Sequence, residues 1–68
     1  MDTVTVTKRG ERYVSTFSKL PGRTFGPYEF ADMIRDLRVS AFLSPIAARG
    51  LVMDAAVNGS ATTAIPEG

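Results

Sequence analysis

The chain has 68 residues, no cysteine, no histidine and a formal net charge of +1. That length sets one domain, which buries only about 60% of the surface its unfolded chain exposes, with no disulfide and no thiol- or imidazole-held zinc to reinforce it. The commonest general base and the best nucleophile are also missing, and the acids lack calcium-loop spacing, so no enzyme, metal or cofactor is expected.

Thr3-Val4-Thr5-Val6-Thr7 alternates strictly, with a β-branched side chain at every position. Strands send successive side chains to opposite faces, so this is a strand with the valines on one side and the threonines on the other. Arg12 to Ser18 reads as its hairpin partner. A two-residue loop at Arg9-Gly10 sets Val6 opposite Tyr13 and Val4 opposite Ser15. It gathers Val4, Val6, Tyr13 and Phe17 on one face. Leu20-Pro21-Gly22-Arg23 suits a type II turn. Thr24-Phe25 then makes a short third strand.

Gly26-Pro27-Tyr28-Glu29 reads as a helix start, with proline in the first turn and an acid facing the positive end. Phe30, Met33, Ile34 and Leu37 recur at helical spacing and form one apolar stripe. Glu29, Asp32 and Asp36 lie together on the opposite side, the ordinary place for charges. This helix is expected to end near Arg38 or Val39. Ser40 to Leu43 bridges to a second helix, which Ser44 caps and Pro45 begins. Asn58-Gly59 ends it.

Residues 60–68, SATTAIPEG, are small and polar, and read as a flexible C-terminal tail on a single domain spanning 1–59. An edge strand over Ala61 to Ile65 is argued against by Pro66 and the terminal glycine. The expected fold class is α+β: a three-stranded antiparallel β-meander followed by two α-helices, the first packed on the sheet. Its expected core contains Val4, Val6, Tyr13, Phe17, Phe25, Phe30, Met33, Ile34, Leu37, Phe42, Leu43, Ile46, Leu51 and Val52. In element order, roughly residues 3 to 38 look like the small sheet domains that integrases and some plant regulators insert into the major groove. That likeness is one of topology, with no motif residue behind it.

Two surfaces carry the functional expectations. Lys8, Arg9, Arg12, Lys19 and Arg23 stand against Glu11 alone within residues 8–23, a local charge of +4 against −3 for the rest. They surround the two turns of the meander. Beside a threonine-rich sheet face, they are candidate contacts to a nucleic-acid backbone. The plainer reading is that basic turns keep edges apart and the protein dissolved. The second helix is apolar nearly all round, with Arg49 and Asp54 its charged residues and Gly50 in its middle. The sheet and first helix cover one side of it, so the other side is expected to meet a protein, through Leu51, Met53 and Val57, with the chain a homodimer. The plainer alternative is that Phe42, Leu43 and the tail fold over it.

The favoured expectation is therefore a small non-catalytic protein-binding module. Chains this small and free of motifs are typical of accessory proteins of phages and mobile elements, such as inhibitors of a host enzyme or defence complex. The alternative is a nucleic-acid-binding protein using the basic hairpin. The most apolar window, Ala41 to Val57, is short and broken by Pro45, Arg49, Gly50 and Asp54, so no membrane span is expected. With no targeting segment visible, a cytoplasmic location is expected, the host cytoplasm for a phage protein.

Overall fold

The structure, a computed structural model, describes residues 2–66. It is α+β, in the order β1 (Thr3–Arg9), β2 (Arg12–Phe17), β3 (Thr24–Tyr28), α1 (Phe30–Ser40), α2 (Pro45–Asn58) and β4 (Ser60–Ala64). All strand pairs are antiparallel, and the sheet order is β3-β2-β1-β4.

The expected three-stranded sheet is thus four-stranded. Residues 60–64, assigned to the tail on their polarity, return along β1 and pair with Thr3 to Thr7. Backbone bonds secure both ends: Lys8 N–H donates to the Gly59 carbonyl at 2.8 Å, and Ile65 N–H donates to the Asp2 carbonyl at 2.8 Å. Pro66 lies past the end of β4, where its missing donor costs the ladder nothing.

The first hairpin keeps the expected faces but not the expected loop. The loop is Gly10-Glu11, closed by Arg9 opposite Arg12, so Val6 faces Ser15 and Val4 faces Phe17. The shift is two residues, which preserves parity and leaves Val4, Val6, Tyr13 and Phe17 on one side. Gly10 has φ +61. Hairpin turns with a positive φ at their first central position take glycine there, and this sets the loop one residue later than Arg9-Gly10.

Gly26 and Pro27 do not begin a helix. They belong to β3, which runs to Tyr28, and their peptide bond is cis. Tyr13 faces Tyr28 and Ser15 faces Phe25, so Gly26 and Pro27 together oppose Val14 in a bulge. β3 is an edge strand, where a residue without an N–H is tolerated. The helix starts after Glu29, whose side chain makes no capping bond.

Both helices cover one face of the sheet, α1 over β2 and β3, α2 over β1 and β4. The core cluster joins Val4, Val6 and Tyr13 of the sheet to Met33, Leu37, Ala41, Leu43, Ala48, Leu51, Val52 and Ala55. Packing on the sheet is therefore shared between the helices rather than carried by α1 alone. Ser15 is buried among these residues and its hydroxyl has no hydrogen-bond partner, a local cost inside the apolar layer.

Four expected core residues lie outside the cluster: Phe25, half-buried and edge to face with Phe17 at 5.5 Å, and three that are exposed. Phe30 is 38% exposed, Phe42 73% and Ile46 86%. Phe30 is the first residue of α1 and rests at the rim, edge to face with Tyr13 at 6.1 Å. Phe42 has φ +56, the left-handed conformation that commonly closes a helix and that glycine usually supplies. Ala41 and Leu43 on either side of it donate their N–H groups to the Leu37 carbonyl and turn inward. This linker tucks in as expected, except for its largest side chain.

Candidate functional site

α2 is built as its sequence dictates. The Ser44 hydroxyl accepts from Ala47 N–H at 3.1 Å, Pro45 occupies the first turn, and Gly59 at φ +91 closes the helix with its N–H on the Ala55 carbonyl. Its inner face is Ala48, Leu51, Val52 and Ala55, all buried. Its outer face is a line of residues three or four apart: Ile46, Gly50, Met53 and Val57. Ile46 and Val57 are more than four-fifths exposed and Met53 is 47% exposed. A Cβ placed on Gly50 would meet nothing within 4 Å. Arg49 and Asp54 flank this line on either side and are exposed.

Of the three residues expected at a protein contact, Met53 and Val57 are on this outer face. Leu51 is on the inner face and belongs to the domain's own core. Ile46, read as core, takes its place. Phe42, Leu43 and β4 do not cover the outer line: Phe42 is itself exposed, Leu43 is buried in the core, and β4 pairs with β1.

The five basic residues do not converge. Lys8, Arg9 and Arg12 are at the tip of the first hairpin, where Arg9 and Arg12 are direct cross-strand neighbours on the sheet's open face. Lys19 is in the turn at the other end, held by Asp2 at 3.0 Å. Arg23 stacks over the Phe25 ring at 5.9 Å. Between the two ends runs a row of hydroxyls, Thr24-Thr16-Thr5-Thr62, one from each strand, with the Thr5 and Thr62 hydroxyls bonded at 2.8 Å. The hairpin tip thus offers three cations free of carboxylate partners among the described residues. Wild-type protein is expected to show no duplex binding even at low ionic strength, where surface charge counts most. Binding with a salt slope near −2.7, about three phosphates, that disappears in Arg9→Glu/Arg12→Glu would reverse this ranking.

A cleft of 770 Å³ opens beside Phe42, walled by Phe17, Leu20, Ile65 and Pro66, with Asp2, Lys19 and Ser40 among its polar neighbours. Its size falls in the range of ligand pockets. The Lys19–Asp2 ion pair uses both of its charged groups on each other. The acids of α1 also stay apart in role: Glu29 precedes the helix, Asp36 accepts from the Ser40 hydroxyl at 3.2 Å, and Asp32 is exposed. Among the described residues no cluster of three acids could hold a metal ion, and no helix is long and apolar enough to cross a membrane.

No protein-family model, curated protein or solved structure matches this chain.

Proposed function

We propose that this chain is a small non-catalytic protein-binding module whose contact surface is the outer face of α2. The observation that carries the reading is the line Ile46, Gly50, Met53 and Val57, contiguous and exposed on a helix whose opposite face already fills the core. Apolar area arranged in one patch, rather than scattered singly, marks a contact surface. Self-association through that face is the contact tested first, and a dimer formed this way leaves the rest of the surface for a foreign partner, the reading in which the chain is an accessory inhibitor of an enzyme or defence complex. Nucleic-acid binding ranks second because the basic residues are divided between the two ends of the sheet and Lys19 is already paired.

Light scattering after size exclusion tests the surface directly. Wild-type protein at micromolar concentration is expected to run at the mass of two chains. Val57→Glu and Met53→Glu are expected to run as one chain with unchanged circular dichroism. Val57 is 83% exposed in the single chain, so its replacement spares the core and introduces a charge only at the contact, where an unpaired carboxylate is costly. A wild-type mass of one chain throughout the accessible concentration range would remove the basis for this reading.

A further inference from the structure

The outer line of α2 has a register as well as a composition. Ile46 and Met53 are seven residues apart, as are Gly50 and Val57, and the steps between them run four, three, four. That is the a/d seam of a heptad repeat, with Ile46 and Met53 at d and Gly50 and Val57 at a. Arg49 then falls at g and Asp54 at e, the two positions that border such a seam. Both are exposed, and neither has an ion-pair partner in its own chain among the described residues.

We propose that the occupant of this face is α2 of a second copy, with the two helices parallel and in register. The inference rests on the contact surface argued above and adds its partner and orientation. Charge selects the orientation. In a parallel twofold pair, a g side chain faces the e side chain five residues further along the other helix, and Arg49 and Asp54 are separated by five. Two Arg49–Asp54 pairs therefore form, one on each side of the seam. In an antiparallel twofold pair each flank meets its own kind, so Arg49 lies beside Arg49 and Asp54 beside Asp54. Opposite charges at e and g set partner choice and direction in helix pairs, and like charges oppose them. Gly50 lets the two backbones approach at the middle of the seam, since the space where its Cβ would stand is open. A 14-residue helix offers about three to four turns of contact, so the pair is short.

The absence of cysteine from the chain makes the orientation directly measurable. In the parallel pair Val57 lies against Val57 and Ile46 against Ile46. Val57→Cys alone and Ile46→Cys alone are each expected to oxidise to a disulfide-linked dimer. In the antiparallel pair Ile46 lies against Val57, and only a mixture of the two variants would link. Charge gives an independent readout. Arg49→Asp and Asp54→Arg should each weaken the dimer about tenfold. An equimolar mixture of the two should restore it, because both cross-pairs then join opposite charges. A two-chain mass with cross-linking confined to the Ile46→Cys plus Val57→Cys mixture overturns the orientation and leaves the contact surface standing. A two-chain mass that survives Val57→Glu overturns both, as does a wild-type mass of one chain.

Discussion

Leu37→Ala is expected to cost about 2–5 kcal/mol, as a leucine-to-alanine cavity does in a packed core. A chain of 68 residues has a total stability of roughly 3–10 kcal/mol on the usual scale per residue, so this one change removes a large part of it. Leu37 is fully buried, on the face of α1 that meets the sheet, and its carbonyl also receives both N–H groups that close the helix. Phe30→Ala is the instructive contrast. The two residues share one helical stripe and seven-residue spacing, and sequence alone ranks the larger ring as the costlier loss. Phe30 is 38% exposed and gives up chiefly its edge-to-face contact with Tyr13, worth about 0.5–1.5 kcal/mol beyond the area it covers. Urea denaturation should therefore show the smaller residue causing the larger loss. Equal losses would mean that α1 is rotated relative to the sheet.

The elements that could be read from sequence are those in which local chemistry and burial agree. Ser44, Pro45 and Gly59 bound α2 because cap, first turn and left-handed exit each demand a particular residue type, and tertiary contacts need not intervene. The alternation of β1 survives a two-residue error in pairing register because period two is indifferent to it. β4 was hidden for the opposite reason. Its five residues include no large apolar side chain, and it is held by backbone bonds to β1 and by the underside of α2, neither of which its own sequence displays. Thr62 and Thr63 carry a β preference, but a strand at a sheet edge is defined by its neighbour. Pro27 misled through a real preference met elsewhere: proline suits a first helical turn and an edge strand alike, and only the partner strand decides between them.

The candidate site was half legible for a similar reason. That α2 has more apolar surface than one layer can cover follows from its composition. Which side turns inward does not, because apolar residues occupy both sides and no polar face points outward. The core is settled by the small residues Ala48 and Ala55, which allow close packing on β1 and β4 and bring Leu51 and Val52 inward with them. Leu51, expected both in the core and at the contact, is in the core, and Ile46, expected in the core, stands on the outer face instead. The heptad spacing of Ile46, Gly50, Met53 and Val57 was present in the sequence throughout, but it gains meaning only once the other face is known to be filled.

Gly26→Ala is expected to be among the most damaging of the small substitutions. Gly26 has φ +119, a region that side-chain-bearing residues rarely adopt, and a Cβ there would stand 2.7 Å from the Tyr13 carbonyl oxygen and 3.2 Å from the Tyr28 nitrogen. The conformational cost alone is about 1–3 kcal/mol. The steric conflict adds to it, because its nearest atom is backbone in the central strand β2 and cannot swing aside as a side-chain tip would. Tyr13 itself is buried in the core, so displacing its backbone disturbs the packing beneath α1. Gly50→Ala is the matched control. Gly50 lies inside α2, its added Cβ meets nothing within 4 Å, and its φ is not in the positive range. There the methyl group removes backbone freedom from the unfolded chain, and stability should rise by about 0.5–1 kcal/mol. The two variants add the same atoms, and thermal or urea unfolding at concentrations where the chain is monomeric should give shifts of opposite sign. A Gly26→Ala variant as stable as wild type would mean that the bulge opposite Val14 does not form and that β3 pairs with β2 in another register.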